Sequence, residues 1–201
     1  VEAELRRNGV EVALGVQVTE IRDETVLLSD GREIDADMVV MSIGVRPDVT
    51  LAKAAGLALG PRGGIRVDEQ MRTSDPHIYA VGDAVDKSDA TTGEPTLVPL
   101  ANSANRQGRL VADVIAGRAT RFGGVRGTAI VKVFDLTVAA TGVSEKRLAA
   151  AGRDYRAVHT HPGSHAGYYP GAERISIKLL FDPSTARILG AQAVGGSGTD
   201  K

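Results

Sequence analysis

The sequence predicts an α/β fold that continues into a small α+β module with an antiparallel sheet. Residues 37–44 form an almost unbroken apolar run ending at a glycine, which is typical of a strand covered on both faces in a parallel sheet. A helix is predicted over 101–116, where small and aliphatic residues recur at intervals of three and four. Beyond residue 124 the pattern changes to alternating strands, most clearly over 174–181.

The first elements follow from short local patterns. A helix over 2–8 ends at Gly9, a residue type that helix C-termini favour. Apolar residues at 26–28 predict a strand that runs into the turn pair Asp30-Gly31. We therefore expect a short helix and a strand before the apolar run.

The later elements are predicted in the same way. A second compact apolar strand is expected over 77–81, and it stops at Gly82-Asp83. The stripe of the long helix consists of Ala101, Ala104, Gly108, Val111 and Ile115. Ser144 is the expected cap of a short helix. The tail then contains this helix, over 145–151, and four strands, over 128–134, 137–141, 174–181 and 188–194.

Composition excludes several classes of function. The chain is 42% hydrophobic and 24% charged, as in ordinary globular proteins. The formal net charge of −1 excludes the basic surface that grips a nucleic acid backbone. No apolar run approaches the roughly 20 residues that span a bilayer. The absence of cysteine excludes disulfides, thiolate metal sites and cysteine nucleophiles within these 201 residues.

The densest chemical signal is the segment 73–84, in which a short strand ends at Gly82-Asp83. Ligands of open α/β sheets bind at the carboxyl ends of strands, where a glycine permits close approach of the backbone. Two interpretations of the Asp83 carboxylate stay open. It accepts hydrogen bonds from a ligand hydroxyl or binds a cation, or it belongs to an ordinary Gly-Asp turn.

This segment resembles the second flavin-binding motif of FAD-dependent pyridine nucleotide-disulfide oxidoreductases. The motif matches at four positions, namely Thr73, Ala80, Gly82 and Asp83. Residues 42–47 are similar to the joint at which the NAD(P)H-binding domain returns the chain to the FAD domain. Residues 97–109 are similar to the helix that faces the flavin. The three motifs occur in the family's order, and the resemblance covers essentially the whole chain.

The resemblance implies residues for two nucleotide cofactors. Gly82 and Asp83 would bind FAD, with the carboxylate on the ribityl chain. Three residues at the start of the long helix would face the flavin through their backbone, namely Leu100, Ala101 and Asn102. N–H groups at a helix N-terminus favour the negative charge of a reduced flavin. Gly44 would approach the nucleotide of NADH or NADPH.

The segments 93–101 and 165–171 look most like those of coenzyme A-disulfide reductases and their NADH oxidase-like relatives. In those enzymes a tyrosine of the dimerisation domain reaches the partner subunit's active site, and Tyr168 and Tyr169 are the catalytic candidates. The sequence does not choose between them, and an aromatic turn at Pro170-Gly171 is an equal alternative. No metal site is predicted, because no carboxylate or cysteine accompanies the histidines at 159, 161 and 165.

The family's domain order implies three parts. These are the end of an NAD(P)H-binding domain, the returning segment of the FAD-binding domain, and an incomplete dimerisation domain, over 1–47, 48–120 and 124–201. The family's redox cysteine and both Gly-x-Gly-x-x-Gly motifs are absent. We therefore expect a piece of a longer enzyme that alone neither binds FAD tightly nor turns over.

The function implied by the resemblance is electron transfer from NADH or NADPH through FAD to a disulfide such as CoA-disulfide. The expected setting is a cytosolic homodimer formed through 124–201, with no membrane or nucleic acid partner. One alternative is the same flavoenzyme with oxygen or peroxide as acceptor. The other is a non-catalytic oligomerisation fragment. The choice between NADH and NADPH stays open.

Overall fold

The computed structural model describes residues 1–200, which form two compact units. The first unit comprises residues 1–44, and the second begins at residue 45. No helix within the described residues is long and apolar enough to cross a bilayer.

The first unit contains one short helix and a three-stranded sheet. The elements are α1 (Glu2–Arg7), β1 (Val18–Ile21), β2 (Thr25–Leu28) and β3 (Glu33–Asp35). The sheet is antiparallel with order β1-β2-β3. Val26 and Leu28 alternate with less buried residues along β2 and form its buried face. The predicted helix and the strand at 26–28 are confirmed.

The predicted buried strand over 37–44 is wrong for this chain. The segment is irregular, and Met38 and Ile43 are 80% and 84% exposed. No strand among the described residues pairs with it. An apolar run forms a buried strand only where another element packs on it, and no described element of the first unit packs on this segment.

The first half of the second unit has little regular structure outside one long helix. It contains α2 (Thr50–Ala54), a 3₁₀ turn (Gly82–Ala84), the short hairpin pair β4 (Lys87–Ser88) and β5 (Pro95–Thr96), and α3 (Ala101–Ile115). The predicted strand over 77–81 is reduced to a single bridge between Arg72 and Tyr79. The chain after it enters the 3₁₀ turn at Gly82.

The helix α3 confirms the prediction over 101–116, but its buried face is rotated from the predicted stripe. The buried residues of the helix are Ser103, Gln107 and Val114, whereas Ile115 is 67% exposed. Small residues were expected inside because they permit close packing. The structure instead buries a serine and a glutamine, whose Ser103 Oγ and Gln107 Oε1 each have a hydrogen-bond partner there.

The second half of the second unit is an antiparallel α+β module, as predicted. Its elements are β6 (Ala129–Val133), β7 (Leu136–Gly142), α4 (Glu145–Ala150), β8 (Arg156–Thr160), β9 (Ile175–Phe181) and β10 (Ile188–Gly195). The sheet order is β6-β7-β10-β9-β8, and every pair is antiparallel. The side chain of Ser144 caps α4, accepting a hydrogen bond from the Arg147 N–H. The core consists of Val143, Leu148, Leu180 and Leu189.

Candidate functional site

The turn Gly82–Ala84 packs against α3. Gly82 has a φ of +85°, in the left-handed region that favours glycine. Its N–H donates a hydrogen bond to Oε1 of the fully buried Gln107 at 2.8 Å. A side chain 25 positions further along the chain therefore holds this turn on the helix.

Asp83 presents an exposed carboxylate on this turn. No hydrogen bond or ion pair within residues 1–200 engages it, so it is not the cap of an ordinary turn. An ionised carboxylate accepts hydrogen bonds through both oxygens. The turn thus offers a free acceptor to hydroxyl groups of a ligand.

The N-terminus of α3 lies on the helix that holds this turn. Leu100 is its N-cap in an extended conformation, and no side chain caps the helix. The Leu100 carbonyl accepts hydrogen bonds from Ser103 and Ala104, which leaves the N–H groups of Ala101 and Asn102 without a partner among the described residues. Free N–H groups at the start of a helix favour an electron-rich ligand group.

The Asn102 side chain has a structural contact of its own. Its Nδ2 donates to the Thr128 carbonyl at 3.3 Å, just before β6. The side chain therefore ties α3 to the antiparallel module, and the backbone of Asn102 stays available.

Lys87 is a buried cation close to Asp83. It is 4% exposed, and its Nζ donates to the Val98 carbonyl at 3.0 Å, in the segment that leads into α3. Burial lowers the pKa of the Lys87 ammonium below its ordinary value, and the negative charge of Asp83 acts in the opposite direction. Lys87 thus links the strand after the Asp83 turn to the approach of α3.

Asp86 anchors the loop 60–64 beside these elements. Its two carboxylate oxygens accept hydrogen bonds from the Gly64 and Arg62 N–H groups, both at 3.0 Å. A Cβ on Gly64 would lie 2.6 Å from Asp86 Oδ1, and a Cβ on Gly60 would overlap the same carboxylate. The two glycines are required by this close approach.

Gly44 belongs to the first unit, and the two tyrosines belong to a loop of the antiparallel module. Gly44 is exposed at the end of the first unit, with a φ of +91° and no heavy atom near a hypothetical Cβ. Tyr168 and Tyr169 lie on the loop between β8 and β9, and they are 83% and 61% exposed. Their ring centroids are 4.7 Å apart with planes tilted by 42°. Neither tyrosine hydrogen-bonds the Gly82–Ala84 turn or α3 within the described residues.

Five of the predicted site residues lie on two elements that pack against each other. Gly82 and Asp83 are on the turn, Ala101 and Asn102 begin the helix against which it packs, and Leu100 is the N-cap of that helix. Tyr168 and Tyr169 belong to the separate loop between β8 and β9, and Gly44 belongs to the first unit.

Two polar residues of the site were missed by sequence reasoning. Gln107 follows Ser103 by four positions on α3, so helical periodicity places both on one face. Lys87 follows the fully buried Val85 by two positions, which is the spacing of one side of an extended segment. Both signals were present, but polarity suggested solvent exposure instead.

Comparison with known families gives two matches that together cover most of the chain. Residues 1–108 match the family model described as pyridine nucleotide-disulphide oxidoreductase. Residues 128–200 match the model for the dimerisation domain of the same family.

The similar proteins are longer than this chain. A coenzyme A disulfide reductase of Staphylococcus haemolyticus is 33% identical over 98% of this chain and 45% of its own length. An NADH oxidase of Methanocaldococcus jannaschii is 38% identical over 98% of this chain and 44% of its own. The crystal structure of reduced Bacillus anthracis CoADR-RHD is 46% identical with a TM-score of 0.97, covering 99% of this chain and 36% of that one. The chain thus spans less than half the length of each, and the predicted fold class is confirmed.

Proposed function

We propose that this chain, which belongs to the pyridine nucleotide-disulphide oxidoreductase family, forms part of an enzyme that passes electrons from NADH or NADPH through FAD to a disulfide. The similarity to a coenzyme A disulfide reductase supports CoA-disulfide as the acceptor. The proposed assembly is a homodimer, because residues 128–200 match a dimerisation domain, and the proposed compartment is the cytosol.

The residues of the site fit one part of an FAD molecule. The observation that carries the proposal is the exposed, unpaired Asp83 carboxylate on a turn that packs against α3. The uncapped start of α3 supplies N–H donors on the same helix. These groups match the needs of a ligand with sugar-alcohol hydroxyls and an electron-rich ring, whereas a cation would find one carboxylate only. No group of three residues with metal-ligating side chains clusters within residues 1–200.

In the proposed mechanism this chain binds and orients the cofactors. The Asp83 carboxylate would accept a hydrogen bond from a ribityl hydroxyl, and the backbone of Leu100, Ala101 and Asn102 would face the pyrimidine side of the flavin. Gly82 allows close approach of the backbone, as Gly44 does for the nicotinamide nucleotide. When bound, FAD supplies two-electron chemistry between nicotinamide and disulfide. The positive N-terminal end of α3 would favour the negative charge that reduction adds to the flavin.

The proposed division of the chain is 1–47, 48–120 and 124–201, for the NAD(P)H-binding, FAD-binding and dimerisation parts. One of Tyr168 and Tyr169 contacts the substrate across the dimer. Their exposure supports this, because a side chain that is 61% or 83% exposed in one protomer is available to a partner.

A second candidate acceptor is oxygen or peroxide, which the similarity to an NADH oxidase favours. The test uses the longer polypeptide to which the chain is proposed to belong. NADH and NADPH oxidation is followed at 340 nm with CoA-disulfide, oxygen or peroxide as the acceptor. Turnover that requires CoA-disulfide supports the proposal, and turnover with oxygen or peroxide alone supports the second candidate. The absence of bound flavin and of any NAD(P)H oxidation would refute both.

The isolated 201-residue chain provides a separate check. We expect it to lack flavin absorbance and turnover, because the site residues above account for one side of FAD only. Sizing the isolated chain tests whether self-association through 124–201 is its sole activity. A monomer at micromolar concentration would contradict that alternative.

A further inference from the structure

Gln107 is a buried polar residue that the proposed mechanism leaves unused. It is fully buried on α3, beneath the turn that carries Asp83. Its Oε1 accepts the Gly82 N–H at 2.8 Å, and its Nε2 has no hydrogen-bond partner within residues 1–200. Buried side-chain amides normally satisfy both ends, so this arrangement calls for a reason.

The orientation of the Gln107 amide follows from its partner. A backbone N–H can only donate, so the side-chain atom facing Gly82 must be the oxygen. The NH₂ group is thereby fixed in the unpaired position. The Gln107 side chain therefore makes the contact with Gly82 and leaves its NH₂ group buried without a partner.

Gly82 needs such a contact more than an ordinary residue does. Its φ of +85° places the peptide in a conformation that only glycine adopts readily, and glycine has the greatest freedom to leave it. The three-residue turn has no side-chain cap of its own. The Gln107 hydrogen bond is therefore the tie that fixes the direction of the peptide entering Asp83.

We propose that Gln107 is a positioning residue, which holds the Gly82 peptide on α3 and so fixes the Asp83 carboxylate relative to the start of that helix. The inference rests on the proposed function, because it concerns the two segments assigned to FAD. Gln107 lies six residues after Ala101 on one continuous helix. One side chain thus makes the turn and the helix start a single rigid unit.

The first test needs no cofactor. In the 201-residue chain, Gln107→Met keeps a similar length but removes the acceptor. Hydrogen exchange at the Gly82 amide is expected to accelerate about tenfold, since one buried hydrogen bond is lost. Amides of the β9–β10 ladder should keep their rates, which shows that the fold persists. Arg109→Met, an exposed change on the same helix, is the matched control and should leave Gly82 unchanged.

The second test uses the longer flavoprotein and measures its FAD dissociation constant. We expect an increase of about tenfold for Gln107→Met and none for Arg109→Met. Gln107→Glu retains an oxygen acceptor for the Gly82 N–H, so it should restore both the slow exchange and most of the affinity. This comparison separates positioning of the Gly82 peptide from packing around residue 107. Both replacements disturb the packing, but only Gln107→Met removes the hydrogen-bond acceptor.

Two results overturn the inference. Unchanged Gly82 exchange in Gln107→Met would show that the hydrogen bond does not hold the turn. Faster exchange with unchanged FAD affinity, while Asp83→Ala does weaken FAD binding, would overturn the positioning assignment and leave the proposed function standing. If neither Asp83→Ala nor Gln107→Met alters FAD affinity, the proposed function fails as well.

Discussion

Replacing Asp86 by alanine tests the anchor that holds the 60–64 loop next to the site. Asp86 is 9% exposed, and the change leaves the Gly64 and Arg62 N–H groups without their acceptors. Hydrogen bonds to charged groups contribute about 1.5–3 kcal/mol each. Water can replace the partner of the more accessible Arg62 N–H, and loss of a buried carboxylate offsets part of the cost. We expect a net loss of about 2–3 kcal/mol in the free energy of unfolding.

The assay is urea unfolding of the chain at pH 7 and 25 °C, followed by far-ultraviolet circular dichroism. With a slope of about 2 kcal/mol per molar urea, the midpoint should fall by about 1–1.5 M. Asp86→Asn should fall by roughly half as much, because an amide oxygen still accepts one of the two hydrogen bonds.

A matched control separates burial from hydrogen bonding. Asp68 also accepts two backbone N–H groups, those of Gln70 and Arg72 at 2.8 and 2.9 Å, but it is exposed. Asp68→Ala should cost about 1 kcal/mol or less, because water replaces the lost acceptor. If Asp86→Ala costs no more than Asp68→Ala, the buried anchor does not stabilise the fold as described.

Three further changes have clear expected outcomes. Leu148→Ala should cost about 2.5–5 kcal/mol in urea unfolding, because Leu148 is fully buried in the core of the α+β module, and an unchanged midpoint would disprove that core. Burial lowers the pKa of the Lys87 ammonium, so the unfolded state binds more protons than the folded state in the alkaline range. Wild type should therefore gain stability relative to Lys87→Met as pH rises toward 10.5. Parallel stability curves for the two proteins would contradict this. Hydrogen bonds from Ser184 lower the pKa of Asp182 to about 2, so its contribution to stability is present above pH 3.8 and lost as pH falls through about 2. In acid unfolding, wild type should therefore lose stability relative to Asp182→Asn over that range. Equal losses in the two proteins would refute the role of these hydrogen bonds.

The elements that the sequence predicted correctly are those with local signals. The helix α3 has a periodic pattern, and α4 has the Ser144 cap immediately before it. The strand β9 alternates at its start and then runs apolar, and β10 is free of charged residues, with Gln192 as its one polar side chain. By contrast β8 is exposed throughout, so its residues carry no burial pattern, and the strand was missed.

The errors concern burial that depends on distant residues. The run 37–44 is apolar enough for a strand, but no described element of the first unit covers it. The face of α3 is set by Gly82, which lies 25 residues before the glutamine that contacts it. A single sequence shows the periodicity of a helix but not which partner will satisfy a buried amide.

The candidate site was predicted in part. The Gly82-Asp83 pair and the start of α3 were identified through the order of three motifs, and the structure brings these two segments together. Their contacts with FAD, the assignment of Gly44, and the choice between Tyr168 and Tyr169 remain predictions. The spacing of Gln107 and Lys87 is that of buried positions, but their hydrogen-bond partners are backbone groups that no residue type specifies.

The most direct test of the account is the flavin content of the longer polypeptide carrying Asp83→Ala, measured from visible absorbance after purification and by titration with FAD. Loss of one hydrogen bond to a charged acceptor should weaken FAD binding by about tenfold to a hundredfold. Asp135→Ala, an exposed change between β6 and β7, should leave it unaltered. We expect one FAD per chain in wild type and a marked loss in Asp83→Ala. Equal flavin content and affinity in all three proteins would contradict the assignment of Asp83 to FAD.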